Sequence, residues 1–182
     1  MNRKFFALLL TLLMVLALVP VSAYADTSKS SGKEIAVLFT NDVHCAVDKN
    51  LGYQSVALAK ETLEAQGKDV LLVDVGDAVQ GDAIGTLSKG EYIIKIMNEL
   101  GYDVATIGNH EFDYGMDQFK KLNRLADFPY VSANFMDKNG ETVLDAYSMQ
   151  NVHGVKIAFV GVTTPKTITS STPAYFQNEK GE

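Results

Sequence analysis

Three short polar segments hold most of the side chains that could carry out chemistry in this chain. They are TNDVHC at residues 40–45, GDAVQGD at 76–82 and GNHEFD at 108–113. Carboxylate and imidazole groups at this density are typical of divalent metal sites and of sites for proton transfer. Asp42 and His44 flank a single residue, so in an extended backbone they would point the same way, at the spacing that two ligands of one ion need.

Apolar runs precede each polar segment and predict buried β-strands. Four strands are expected in the first part of the chain, at residues 34–40, 69–75, 103–107 and 130–135. The first run, EIAVLFT, is continuously apolar, which predicts a strand buried on both faces. A further pair of strands is expected within residues 148–162, around the turn formed by His153 and Gly154.

Helices are predicted between the strands from apolar residues at helical spacing. They are expected at residues 53–66, in the segment that ends at Gly101, and from about Tyr114 to Leu125. Gly101 is a typical helix stop, because glycine readily adopts the left-handed conformation that follows the last turn. The alternation of strands and helices predicts an α/β layered domain, a sheet with flanking helices.

Each polar segment closes one of three consecutive strands. Ligands of α/β sheets lie just outside the carboxyl ends of the strands, so the three segments are expected to meet at one edge of the sheet. Taken singly, each segment has an ordinary explanation; Asp77, for example, follows a glycine and could cap a helix or form a turn. Together and in this order they predict a functional site, with Asp42, His44, Asp77 and Asn109 close to one another.

The order D-x-H, G-D-x-x-x-G and G-N-H-E-F-D resembles the signature of the calcineurin-like metallophosphoesterases. TNDVH together with GNHEFDYG is most similar to their secreted branch of 5'-nucleotidases and UDP-sugar hydrolases, and the resemblance extends over roughly residues 34–165. It implies two divalent ions, which could be zinc, manganese, iron or cobalt. By this resemblance Asp42 and His44 would bind one ion, Asp77 would bridge both, and Asn109 would bind the second.

The same resemblance implies a catalytic pair, His110 and Asp113. His110 would donate a hydrogen bond to charge that develops on the transferred group, and Asp113 would hold the imidazole in the required tautomer. Two ions about 3.5 to 4 Å apart would activate the attacking water for in-line displacement at phosphorus, without a covalent phosphoenzyme. Glu111 and Phe112 are not expected to be catalytic, and the sequence identifies no substrate-binding residue.

The resemblance therefore implies a metal-dependent hydrolase of small-molecule nucleotides, similar to the 5'-nucleotidases. Three alternatives stay open: a UDP-sugar diphosphatase, a 2',3'-cyclic-nucleotide phosphodiesterase, and a non-catalytic protein that binds metal or phosphate. The family takes further histidine ligands from later strands, whereas this sequence has three histidines, and His153 is expected to be exposed in a turn. We therefore expect an N-terminal half of the catalytic domain that is poorly active by itself.

Residues 1–25 have the pattern of a secretory signal peptide. A basic start precedes an apolar stretch at residues 5–19, which is shorter than the roughly 20 residues that a membrane-spanning helix needs, and Ala-Tyr-Ala at residues 23–25 is a typical cleavage site. The protein is expected to be secreted to the periplasm or the cell exterior, with no stable membrane span after cleavage. The predicted organisation is a signal peptide (1–25), a linker (26–33) and a partial catalytic domain (34–182).

The charge of the chain argues against one class of partner. The 182 residues carry a net charge of −6, and removing residues 1–25 takes away two basic residues and no acidic ones, which gives −8. An acidic chain lacks the basic stripe that binds nucleic-acid backbones, so a nucleic-acid polymer is not an expected partner. The one cysteine, Cys45, cannot form an internal disulfide, and it is expected to be a small buried side chain.

Overall fold

The computed structural model describes residues 32–49, 51–177 and 180. The predicted signal peptide and almost all of the predicted linker lie outside the described residues. The elements below belong to one compact unit, Lys33–Glu182. None of the helices in the described part of the chain has the length and hydropathy that a membrane crossing requires.

The first four strands form one parallel sheet. They are arranged in chain order as β1 (Ile35–Thr40), β2 (Asp69–Asp74), β3 (Val104–Thr106) and β4 (Tyr130–Val131). Because consecutive strands are parallel neighbours, each connection must cross back over the sheet, and each connection contains at least one helix. The prediction of an α/β sheet with flanking helices is confirmed.

The described residues contain five α-helices. They are α1 (Tyr53–Ala65), α2 (Ala83–Ser88), α3 (Glu91–Leu100), α4 (Met116–Leu125) and α5 (Thr167–Ser170). α3 ends at Gly101 as predicted, and the glycine has the left-handed φ of 69°. α4 begins later than predicted, because a 3₁₀ turn at His110–Phe112 and Gly115, with a φ of 88°, come before it. The sequence pattern did not predict α2.

The main core is built from the sheet, the helices and the first 3₁₀ turn. Its fully buried side chains include Leu72, Ala105, Ile93, Met97, Phe112, Phe119 and Leu122. The ring of Phe112 lies between 4.9 and 5.4 Å, centroid to centroid, from the rings of Phe119, Phe135 and Phe176. This aromatic cluster anchors the GNHEFD segment in the core.

β1 is an edge strand with one exposed face, which corrects the prediction that it is buried on both faces. Leu38 packs against the core, whereas Val37 and Phe39 are 50% and 67% exposed. The topology gives the reason: right-handed crossovers between strands in consecutive order all fall on the same face of the sheet. The helices therefore cover one face, and these two side chains lie on the other.

β4 is shorter than the strand predicted at residues 130–135. After Val131 the backbone bonds to two other segments, since the Ser132 N–H donates to the carbonyl of Asp145 at 2.8 Å and the Ala133 N–H to that of Gly161 at 2.8 Å. The ladder with β3 ends where these bonds begin.

β5 (Tyr147–Val152) and β6 (Val155–Val160) form a separate antiparallel hairpin. His153 and Gly154 have φ values of 50° and 86°, the combination expected in a tight type I′ turn. The His153 side chain is 64% exposed, as expected from the sequence, and its Nε2 lies 2.9 Å from Asp69 Oδ2. Asp69 begins β2, so His153 lies at the opposite end of that strand from the polar segments.

Candidate metal and catalytic site

The segments after β1 and β2 run side by side beyond the end of the strands. The Asp42 N–H donates to the carbonyl of Gly76 at 3.1 Å, and the His44 N–H donates to that of Asp77 at 3.1 Å. These bonds extend the parallel pairing of the two strands. Two of the three polar segments therefore meet at the carboxyl edge of the sheet.

Left-handed backbone is concentrated in these two segments. The φ values are 54° at Asp42, 47° at His44, 61° at Cys45 and 60° at Asp77. This conformation costs a residue other than glycine on the order of 1 kcal/mol, and such residues cluster at binding and catalytic sites. The prediction that Asp42 and His44 align through an extended backbone is wrong, because both residues have left-handed φ values.

The third polar segment contacts the second at Asp77. Oδ1 of the Asp77 carboxylate accepts a hydrogen bond from the His110 N–H at 2.8 Å. Gly108 lies so close that a β-carbon at this position would collide with the Asp77 carboxylate, which explains the glycine. Asn109, which is partly buried, lies between Gly108 and His110 in the chain. All three polar segments thus meet at one edge of the sheet.

Four side chains from the three segments form one cluster. His44, Asp77 and His110 each place one potential ligand atom within 4.8 Å of the others. His44 Nε2 is 3.7 Å from Asp42 Oδ1, and the rings of His44 and His110 meet edge to face with centroids 4.9 Å apart. Imidazole nitrogens and carboxylate oxygens suit zinc, manganese, iron or cobalt, so the donor set fits a divalent metal ion.

The charges in this cluster also favour a cation. Burial raises the pKa of the Asp77 carboxyl, and the neighbouring Asp42 raises it further, while the N–H and the ring of His110 lower it. Without a cation, the Asp77 carboxyl is therefore harder to ionise than a free carboxyl. A divalent cation bound between the two carboxylates would offset that penalty.

His44 is oriented by a backbone carbonyl. Its Nδ1 lies 3.0 Å from the Gln80 carbonyl oxygen, so a proton on Nδ1 is donated there and Nε2 is left on the side of Asp42. A histidine that binds a metal usually makes such a second bond. Sequence reasoning missed Gln80, because a residue that acts through its backbone leaves no sign in its side-chain type.

The 3₁₀ turn brings His110 and Asp113 together, since residues three apart share one side of such a turn. His110 Nδ1 lies 2.7 Å from Asp113 Oδ2. Burial opposes the charged form of the ring, but the hydrogen bond and charge of Asp113, with the charges of Asp77 and Glu111, outweigh it and raise the pKa of His110. The contact occupies Nδ1 and leaves Nε2 available to a ligand.

Two further residues near the cluster are buried. Asp74, at the end of β2, accepts hydrogen bonds from the Thr40 hydroxyl at 2.7 Å and from the Gly76 N–H at 2.9 Å. Cys45 is buried, as expected from the sequence, and burial raises the pKa of its thiol to about 12. In the absence of metal, burial thus favours the neutral thiol over the thiolate.

The family model of the calcineurin-like phosphoesterases matches residues 35–177, a range that includes every residue of this cluster. The chain belongs to the calcineurin-like phosphoesterase family. The chain is similar in fold to the solved structure of NAD nucleotidase from Haemophilus influenzae, with a TM-score of 0.66 and 30% sequence identity over 77% of this chain and 28% of that one. The resemblance of the three polar segments to this family is therefore confirmed.

Two relatives of this calcineurin-like phosphoesterase are nucleotide-processing enzymes by name. A 5'-nucleotidase from Vibrio vulnificus is 36% identical over 151 residues, which cover 78% of this chain and 27% of that protein. A 2',3'-cyclic-nucleotide 2'-phosphodiesterase/3'-nucleotidase from Yersinia enterocolitica is 32% identical over 187 residues, which cover 87% of this chain and 28% of that protein. The chain thus spans little more than a quarter of the length of either relative.

Proposed function

We propose that this chain hydrolyses phosphate esters of nucleotides, with nucleoside 5'-monophosphates as substrates. The observation that carries the proposal is the convergence of Asp42, His44, Asp77 and His110 in a cluster that suits a divalent cation. The 36% identity to a 5'-nucleotidase supports a nucleotide as the substrate. The partner is then a small molecule, in keeping with an acidic chain that lacks a basic stripe for nucleic-acid polymers.

In this proposal Asp42 and His44 bind one divalent ion, Asp77 bridges two, and Asn109 binds the second. The His110 N–H holds Oδ1 of Asp77 and so fixes the orientation of the bridging carboxylate. Zinc, manganese, iron and cobalt all accept this mixture of nitrogen and oxygen ligands. When bound, such ions lower the pKa of water and neutralise charge on the phosphate.

His110 and Asp113 form the catalytic pair. Asp113 Oδ2 accepts a hydrogen bond from the N–H at Nδ1 of His110 at 2.7 Å, which orients the ring. The raised pKa of His110 favours the protonated ring, so Nε2 can donate a hydrogen bond to an oxygen of the reacting phosphate. Asp113 therefore acts through the imidazole, whereas His110 itself meets the substrate.

Phosphate release from adenosine 5'-monophosphate by the purified chain, with Mn²⁺ or Zn²⁺ added, tests the proposal. Asp77→Asn is the matched control, because asparagine keeps an acceptor for the His110 N–H and lacks the negative charge. We expect the wild type to release phosphate and the Asp77→Asn variant to release none. The rate should stay below that of the longer 5'-nucleotidase relatives, since Asp42, His44, Asp77 and Asn109 are few ligands for two ions. Equal release from both proteins would contradict the proposal.

A cyclic-nucleotide phosphodiesterase is the second candidate, supported by the 32% identity to the Yersinia enterocolitica protein. Both reactions displace a group at phosphorus, so the same cluster serves either of them. Values of kcat/KM for 5'-AMP, 2',3'-cyclic AMP and UDP-glucose, measured in parallel, separate the nucleotidase from this candidate and from a nucleotide-sugar hydrolase. Metal binding without turnover of any of the three would support the non-catalytic alternative.

A further inference from the structure

Glu111 is a buried carboxylate that contacts two of the three polar segments at once. Its Oε2 accepts hydrogen bonds from the N–H groups of Asp77 at 2.9 Å and Gly108 at 2.7 Å. Its Oε1 accepts the N–H of Ala78 at 3.0 Å, and the residue is 1% exposed. The three donors lie in the segments that follow β2 and β3, so a single side chain joins the two backbones.

The contacts between these two segments are reciprocal. Glu111, in the third segment, holds the N–H of Asp77, in the second, and the Asp77 carboxylate in turn holds the N–H of His110 at 2.8 Å. Each carboxylate therefore fixes the backbone of the segment that carries the other. Hydrogen bonds from backbone N–H groups to a carboxylate are among the stronger ones in proteins, and they set geometry closely.

The backbone that Glu111 holds has an unfavourable conformation. Asp77 has the left-handed φ of 60°, which costs on the order of 1 kcal/mol, and Gly108 lies against the Asp77 carboxylate without room for a β-carbon. Glu111 accepts a bond from each of these two residues through one oxygen atom. Its carboxylate thus stabilises the close approach of the two segments at the point where the cluster forms.

We propose that Glu111 is a positioning residue, whose carboxylate holds the segment that carries Asp77 against the segment that carries Asn109 and His110, as cation binding at Asp77 requires. The inference rests on the proposed function of the cluster as a metal site. In this role Glu111 contacts neither metal nor substrate, because its oxygens accept hydrogen bonds from backbone N–H groups. Loss of a partner of this kind typically lowers metal affinity about 10- to 100-fold.

Titration of the full chain with Co²⁺ tests this role without an activity assay. Co²⁺ absorbs visible light when protein ligands bind it, and the spectrum reports both its affinity and its coordination geometry. Glu111→Gln is the main variant, because it keeps the size of the side chain but places an NH₂ group against backbone N–H donors. We expect its Co²⁺ dissociation constant to rise about 10- to 100-fold and its visible spectrum to change.

Two controls separate positioning from a general loss of stability. Glu91→Gln makes the same chemical change in a carboxylate that pairs with Lys121 at 2.6 Å outside the cluster, and it should bind Co²⁺ as the wild type does. Circular dichroism and urea unfolding establish that Glu111→Gln is folded under the titration conditions. If Glu111→Gln is unfolded, Glu111→Asp replaces it in the titration. Aspartate keeps the negative charge but is shorter by one methylene group, so its carboxylate lies farther from the backbone N–H donors.

The outcomes distinguish this inference from the proposal on which it rests. A folded Glu111 variant with wild-type Co²⁺ affinity and spectrum overturns the inference, and Glu111 then serves only the stability of the fold. Absence of Co²⁺ binding by the wild type overturns the proposed metal site, and the inference falls with it. Weaker binding and an altered spectrum in the Glu111 variant, with Glu91→Gln unchanged, support both.

Discussion

The Asp77 carboxylate and the His110 backbone are joined by a 2.8 Å hydrogen bond from the His110 N–H to Oδ1. The bond connects the segment after β2 with the segment after β3, and it places a candidate ligand beside a candidate catalytic imidazole. Because the donor is a backbone group, replacing the imidazole leaves this bond in place. The roles of Asp77 and His110 can therefore be tested separately.

His110→Ala should lower the turnover of adenosine 5'-monophosphate about 10²- to 10³-fold while the metal content stays the same. The reason is that the proposed role of His110 is to stabilise charge on the reacting phosphate and not to bind metal. Steady-state kinetics and atomic absorption on the same preparation measure both quantities. Loss of metal in proportion to turnover would instead identify His110 as a ligand, which its place in the cluster with His44 and Asp77 permits.

Asp113→Asn should shift the pH dependence of turnover. Burial lowers the pKa of His110, but the hydrogen bond and charge of Asp113 contribute to a net increase. Removing the Asp113 carboxylate should therefore lower the pKa of His110. If the protonated ring is the active form, the fall in kcat at high pH then begins at a lower pH in the variant. A pH–rate profile with excess metal measures this. An unchanged alkaline limb would mean that Asp113 does not control the ionisation of His110.

Asp77→Asn should reduce binding of both ions, whereas Asp42→Asn should weaken one. The difference follows from the proposed bridging role of Asp77, since a bridging carboxylate contributes to both sites. Asparagine still accepts the His110 N–H, so the loops keep their contact in the Asp77 variant. Calorimetric titration with Mn²⁺ gives the number of ions bound and their affinities. Equal effects of the two substitutions would rule out a bridge at Asp77.

Sequence patterns predicted the features that depend on local chemistry. Apolar runs identified the strands, Gly101 identified the end of α3, and the rule for the carboxyl ends of strands indicated where the polar segments meet. Asp77 and His110 lie together because two neighbouring parallel strands end side by side.

The predictions failed where the outcome depends on contacts between distant segments. Phe39 is exposed because the topology, and not the apolar run itself, decides which face of β1 is covered. Asp42 and His44 have left-handed backbone where their N–H groups pair with the second segment, and periodicity cannot reveal such a contact. Likewise, the side-chain type of Glu111 gives no indication of the three backbone groups that it binds.

We predict that the chain is secreted and that its mature form begins at Asp26. The basic start, the apolar stretch and the Ala-Tyr-Ala at residues 23–25 predict cleavage at that point. Mass spectrometry of the protein recovered from the periplasm or the medium of an expressing bacterium measures the mature terminus. Ala25→Phe should block cleavage, because the cleavage site requires a small residue. A wild-type product that keeps Met1 would contradict the prediction.

Asp74 should make the stability of the metal-free fold depend on pH. Burial raises the pKa of its carboxyl from 3.8 to about 8, against the lowering effect of the hydrogen bonds from Thr40 and Gly76, and the charge of Glu111 adds to the increase. The folded chain therefore holds this proton more tightly than the unfolded chain does. The protonated Asp74 carboxyl therefore adds to the free energy of unfolding. This contribution is fully present below about pH 4 and is lost as the pH rises toward about 8.

Asp74→Asn should remove this dependence, because an amide stays neutral and has nearly the shape of the protonated acid. We expect the free energy of unfolding of the wild type, relative to the variant, to fall by at most about 1.4 kcal/mol per pH unit across that range. Urea unfolding of both proteins between about pH 5 and about pH 8, with a chelator present, measures the difference. Because both proteins have all other titrating groups in common, a change in this difference with pH comes from Asp74. A difference that stays constant over this range would mean that Asp74 is already ionised in the folded protein, in spite of its burial.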